Sequence, residues 1–122
     1  MSTILLLEDH PLIRENIAEM LMINSIEVVE CENGNEGLLA LKDKLPDLIL
    51  CDIMMPELDG YEFLVEIKKN KRTAKIPFIF LSAKTEKKEM QIGIDLGADS
   101  YLTKPFDQTE LMAKIESFLP IK

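Results

Sequence analysis

The sequence contains no tryptophan, a single histidine and only two cysteines among its 122 residues. That scarcity removes the nitrogen and sulfur ligands from which zinc, copper and iron–sulfur sites are built, so any metal held here must be held by oxygen. Positive charge is also in deficit: 14 Lys and Arg against 22 Asp and Glu leave a net charge of −8. Such a surface repels phosphate backbones and anionic membranes, which argues against direct nucleic-acid or membrane binding and suits a cation or a basic partner. No apolar run reaches the ~18 residues of a membrane span, and no charged-then-apolar leader opens the chain, so a cytoplasmic location is expected. Internal repeats, low-complexity segments and linkers are absent as well. With 47% apolar residues a core can be built, and residues 1–122 are read as a single domain.

What is present is organised in alternation. Five apolar runs stand out: Thr3–Leu7, Glu27–Cys31, Leu48–Cys51, Pro77–Leu81 and Ser100–Leu102. The second alternates polar and apolar residues, as an edge strand with one wet face does; the others are continuous, as interior parallel strands are. Helical patterns lie between them. Pro11 opens the first, with an apolar stripe of Leu12, Ile13, Ile17, Met20 and Leu21 opposite Arg14, Glu15 and Glu19. Leu38, Leu41 and Leu45 mark the second. Asp59 and Gly60 open the third, which carries Tyr61, Leu64 and Ile67 and ends in Lys68 and Lys69, where the helix dipole favours cations. Met90 and Ile94 mark a fourth, stopped by Gly97. The fifth starts at Asp107, which stands at capping-box spacing from Glu110, and turns Leu111, Ile115, Phe118 and Leu119 inward. Most of the seven methionines are expected to fill the core. Strand and helix alternate five times, which predicts an α/β fold with helices on both faces of a parallel sheet.

In an open parallel sheet the carboxyl ends of the strands share one edge, and ligands bind there. The residues that follow the continuous runs are Glu8, Asp9 and His10, then Asp52, then Ser82, then Thr103, Lys104 and Pro105. Three carboxylates, a hydroxyl and an ammonium are therefore expected to meet. Carboxylates so close repel one another unless a cation compensates, and oxygen-only ligands point to Mg²⁺. A nucleophile, a metal and donors for equatorial oxygens are the parts of a phosphoryl-transfer site. Glu8 and Asp9, being adjacent, suit metal holding; Asp52, isolated at a central strand end, suits nucleophilic attack on phosphorus. His10 is better read as a loop or helix-start residue, because Mg²⁺ rarely takes imidazole.

Four segments, LLLEDHP, DLILCDIMMPELDGYEFL, IPFIFLSA and GADSYLTKPF, stand in an order and spacing that closely resemble the receiver domain of two-component response regulators, from Thr3 to about Leu119. The resemblance implies a flavodoxin-like (βα)5 three-layer sandwich with a five-stranded parallel sheet in the order 2-1-3-4-5. It implies Asp52 as phosphoacceptor, Glu8 and Asp9 as the acidic pair for Mg²⁺ with the Met54 backbone carbonyl as a further ligand, and Lys104 as the phosphoryl contact. Ser82 takes the place of the hydroxyl that swings toward the phosphoryl group, where the family more often has Thr, and Tyr101 that of the aromatic whose rotamer follows. Met54 and Lys84 occupy positions that modulate phosphoryl lifetime, and the Lys104–Pro105 bond is expected to be cis. The implied partners are a histidine kinase or histidine phosphotransfer domain, with a possible homodimer through the fourth helix, fifth strand and fifth helix. That strand order also puts one strand between Cys31 and Cys51, nearly ~10 Å apart where a disulfide needs less than ~7 Å, so both are expected to be buried free thiols.

Two other classes compete. An Mg²⁺-dependent phosphatase of the haloacid dehalogenase kind also uses an Asp nucleophile, a Ser or Thr and a Lys, but normally carries an acid/base Asp two residues after the nucleophile. Met54 stands there and cannot move a proton. A flavodoxin-like small-molecule binder would want a glycine-rich phosphate cradle after the first strand, where LLLEDHP stands instead.

Overall fold

A computed structural model describes residues 1–83 and 87–119. Strands and helices alternate as β1 (Thr3–Leu7), α1 (Pro11–Ile23), β2 (Glu27–Cys31), α2 (Gly34–Asp43), β3 (Leu48–Asp52), α3 (Gly60–Lys69), β4 (Phe78–Ser82), α4 (Lys87–Leu96), β5 (Ser100–Thr103) and α5 (Gln108–Glu116). All pairings are parallel, in the order β2-β1-β3-β4-β5. This is the flavodoxin-like order expected. The strand limits differ by a residue or so: β3, β4 and β5 run on to include Asp52, Ser82 and Thr103, and Pro77, which has no N–H for the ladder, precedes β4.

Because successive strand residues face opposite ways, the sheet has two apolar faces. On one, Leu5, Leu7, Ile49, Cys51, Phe78 and Phe80 pack against Leu41 of α2 and Phe63, Leu64 and Ile67 of α3. On the other, Ile4, Leu6, Leu48, Leu50, Ile79 and Leu81 pack against Ile17, Ala18 and Leu21 of α1 and Leu111, Met112 and Ile115 of α5. β2 is the edge strand expected, but its burial does not alternate: Glu27 and Glu30 are exposed, Val28 and Val29 are half-buried and Cys31 is buried. Leu7 pairs with Cys31 on one side and Cys51 on the other, and both cysteines are buried and free.

Several side chains sit elsewhere than their helical spacing suggests. Leu12 is 66% exposed, because at 100° per residue it falls half a turn from Leu21. Leu45 is exposed and beyond α2, since the residue before Pro46 is driven to extended backbone. Ile94 is exposed, as is Ile92. The residue that seats α4 is Gly93, whose Cα lies so near the Phe80 ring that a Cβ would stand 2.9 Å from it. A small residue at the contact lets the helix approach the aromatic directly. Of the methionines only Met55 and Met112 are buried, while Met1, Met22 and Met54 are largely exposed, so they fill the core less than expected.

Candidate functional site

The sheet register assembles the site. Leu7 of β1, Cys51 of β3 and Phe80 of β4 share one rung, so Glu8, Asp52 and Leu81 share the next. Ser82 pairs with Thr103 one rung further, and Lys104 follows at once. Residues 96 positions apart thereby meet: the Lys104 ammonium donates to Glu8 Oε1, and to Asp52 Oδ2 at 3.1 Å. Carboxylate oxygens of Glu8, Asp9 and Asp52 lie within 4.8 Å of one another. Glu8 and Asp52 are buried and Asp9 is exposed, so the cluster opens to solvent on the Asp9 side.

The electrostatics follow from that burial. Desolvation alone would pull the Lys104 ammonium down. The hydrogen bond that Lys104 donates to Glu8 and the charges of Asp52 and Glu8 outweigh it, and the group is held above its usual value. Beneath the cluster, desolvation pushes the Cys51 thiol well above the usual range, and the Asp52 and Glu8 charges add to the push. Three carboxylates against one ammonium leave a negative excess. The donor set, all oxygen and open on one side, fits a hard divalent ion such as Mg²⁺.

Local sequence explains how Asp52 is held. The β3–α3 loop returns so tightly that the Gly60 N–H donates to the Ile53 carbonyl at 2.8 Å. Asp59 caps α3 by accepting from the Glu62 N–H, and Glu62 reciprocates at the Asp59 N–H. Met54 stands in this loop with its side chain exposed. Ser82 is buried at the end of β4. Tyr101 is half-buried, its ring centroid 6.4 Å from that of Phe80. The Lys104–Pro105 bond is cis. His10 is exposed and is the N-cap residue of α1, without a side-chain cap bond. Lys84 lies outside the described residues.

Two contacts have no counterpart in the sequence reading. Arg14, assigned there to the polar side of the first helix, has its guanidinium folded onto the Glu8 carbonyl. Gly60, read only as a residue that opens the third helix, abuts the Asp52 backbone. The signal for the first was a cation in the early part of a helix with no acidic residue in its first turn.

Residues 4–116 match the response regulator receiver domain family. The chain belongs to that family. Among curated relatives of this receiver, the phosphate regulon transcriptional regulatory protein PhoB of Pseudomonas aeruginosa is 40% identical over 117 residues, covering 96% of the chain and 51% of the relative. The PhoB of Escherichia coli is 37% identical, covering 95% and 51%. The receiver thus spans about half the length of these curated relatives. Among solved structures, the chemotaxis protein CheY4 of Vibrio cholerae superposes with a TM-score of 0.93 at 27% identity, covering 98% of this chain and 99% of that one. The receiver domain of the sensor histidine kinase PA1611 of Pseudomonas aeruginosa, described with a magnesium ion coordinated in its active-site cleft, gives 0.89 at 29% identity, covering 96% of each chain. No described helix of this receiver is long and apolar enough to cross a membrane.

Proposed function

We propose that the chain, as a single receiver domain, is a phosphorylation-controlled signalling switch in which Asp52 accepts a phosphoryl group from a phosphohistidine. The observation that carries this is the convergence of Glu8, Asp9 and Asp52 within 4.8 Å around Lys104 at the carboxyl edge of the sheet. An Asp52 carboxylate oxygen attacks phosphorus, the N–P bond to the donor imidazole breaks, and the imidazole keeps the electron pair and takes up a proton. Glu8, Asp9, Asp52 and the Met54 carbonyl would hold Mg²⁺, whose charge offsets that of the incoming phosphoryl oxygens. Lys104 supplies a second cation at the same oxygens, and Ser82 a neutral donor. The acyl phosphate is lost when water attacks phosphorus and the aspartyl oxygen leaves, which restores the carboxylate and releases inorganic phosphate.

A phosphoryl group adds charge near −2 at a cluster already in negative excess, which draws Lys104 and Ser82 toward it. Ser82 ends the strand that carries Phe80, and Phe80 touches Tyr101, Tyr61 and the α4 seat at Gly93. A shift there reaches the α4–β5–α5 surface, where an output partner or a second copy would dock. A groove of about 220 Å³ beside Lys104, lined by Ile13, Ile17, Met20, Pro105 and Phe106, suits the apolar helix of a histidine kinase or phosphotransfer donor.

The test is intact-mass measurement after incubation with acetyl phosphate and Mg²⁺. The wild type should gain ~80 Da and Asp52→Asn should gain nothing. No adduct on the wild type, or an equal adduct on the variant, overturns the assignment.

A further inference from the structure

Glu8 is fixed by its backbone as well as by its side chain. Its N–H donates to the Cys31 carbonyl at 3.0 Å, and its own carbonyl accepts from Nη1 of Arg14 at 2.9 Å. Arg14 lies six residues on, and its guanidinium reaches back over the turn between β1 and α1. Its Nε lies 3.5 Å from Glu30 and its Nη2 3.9 Å from Glu32, at and just beyond the end of β2. The arginine side chain is 14% exposed, whereas those of the two glutamates are 41% and 61% exposed. One planar cation thus joins the acidic turn of the site to the edge strand.

Local rules argue against an arginine there. The first turn of α1, at the positive end of the helix dipole, has no acidic residue of its own and its N-cap makes no side-chain bond; the Glu8 carboxylate accepts from the His10 N–H at 3.2 Å. A cation close to that positive end is unfavourable. Ordering the long side chain costs rotamer entropy of about 2 kcal/mol. Ion pairs with half-exposed carboxylates return little of that. The remaining contact is the hydrogen bond to the main-chain carbonyl of a site residue. Local rules broken without a nearby structural gain mark functional positions.

We propose that Arg14 is a positioning residue for the acidic cluster: by holding the Glu8 carbonyl toward β2 it aims the Glu8 and Asp9 carboxylates at the Asp52 carboxylate and so sets the affinity of all three for a divalent cation. The inference rests on the Mg²⁺-dependent reading above. Arg14 does not reach the reacting atoms; it acts through the main chain of residue 8. The guanidinium matters because its planar fork fixes the direction of the donor to the Glu8 carbonyl, which a freely rotating ammonium does only in part.

The test compares Mg²⁺ affinity by isothermal titration calorimetry in the wild type, Arg14→Ala, Arg14→Lys and the double variant Glu30→Gln/Glu32→Gln, with urea unfolding of each in parallel. Loss of an outer partner of a metal ligand typically costs ~10–100-fold in affinity. Arg14→Ala should lose about tenfold, and Arg14→Lys should recover part of that. The double glutamine variant, which keeps the bond to the Glu8 carbonyl, should stay within about twofold of wild type, since exposed ion pairs contribute little. Phosphorylation of Arg14→Ala by acetyl phosphate should be slow at limiting Mg²⁺ and recover at saturating Mg²⁺. Wild-type Mg²⁺ affinity in Arg14→Ala, or an equal loss in the glutamine variant, overturns the role given to Arg14. If Arg14→Ala does not fold, Arg14→Lys decides by the same criterion. A wild-type chain that binds no Mg²⁺ overturns the reading of the site itself.

Discussion

Gly60 and Asp52 touch backbone to backbone: a Cβ at position 60 would stand 2.4 Å from the Asp52 carbonyl oxygen and 2.8 Å from the Ile53 Cα. Neither neighbour is a side-chain tip that can turn aside. The first helical residue of α3 is therefore packed directly against the strand end that carries the phosphoacceptor candidate.

Gly60→Ala should consequently do two things at once. Displacing main chain should lower stability by about 1–3 kcal/mol, as overpacked sites do. It should also slow acceptance from acetyl phosphate beyond what unfolding accounts for, because the Asp52 carboxylate shifts with its backbone. Urea midpoints and phosphorylation rates measured on the folded fraction separate the two effects. An alanine variant with an unchanged rate would show that the carboxylate is held independently of this contact.

Lys104 is the cation between two buried carboxylates, so Lys104→Met should leave Glu8 and Asp52 facing each other uncompensated. Removing one partner of a buried pair typically costs ~3–5 kcal/mol, and the opening on the Asp9 side reduces this to roughly 2 kcal/mol. Millimolar Mg²⁺ should raise the Tm of the variant more than that of wild type, since it replaces the missing charge. Equal Mg²⁺ shifts in the two proteins would contradict the shared site.

The thiols give a pH prediction with a definite sign. Burial raises Cys31 from 9.0 to about 11, so the folded state holds the proton more tightly than the unfolded one. The stability this provides is complete below pH 9.0 and is lost as pH rises through about 11. At pH 8 the folded protein should carry about a hundredfold less Cys31 thiolate than the unfolded chain. Iodoacetamide at that pH should therefore label neither cysteine in the native protein while labelling both in guanidinium. Rapid native labelling would place a thiol at the surface.

Ser25 has φ +62°, just past the C-terminus of α1, where its N–H donates to the Met22 carbonyl. Left-handed backbone after a helix favours glycine, because a Cβ crowds the following carbonyl. Ser25→Gly should raise stability by up to about 1 kcal/mol, with the glycine's gain in unfolded-state freedom subtracting from the relief. Chemical denaturation checks this, and a loss of stability would mean that the serine hydroxyl stabilises the turn.

Much of the architecture was legible because two periodicities dominate it. Continuous runs such as Leu48–Cys51, too short for helices and set between helical patterns, read as buried parallel strands, and the polar residues that follow parallel strands share an edge. The Glu8, Asp52 and Lys104 meeting follows from that alone. Helix faces were less legible. Leu12 and Ile94 are apolar yet exposed, and α4 is seated through Gly93, a residue that carries no hydropathy signal. Arg14 eluded the reading for a related reason: a long side chain that folds back six residues obeys no helical spacing.

The seating of α4 through a glycine on the Phe80 ring carries a mechanical consequence. A flat ring under a bare Cα would serve as a pivot, with the Tyr61 hydroxyl, which donates to the Glu89 carbonyl at 3.1 Å, as the tie on one side. The isoleucines at 92 and 94 stand on the outer side of that pivot, each 42% exposed. Were Phe80 displaced, the tilt of α4 would change with it and carry this exposed apolar rim along, a lever built from one aromatic and one missing methyl.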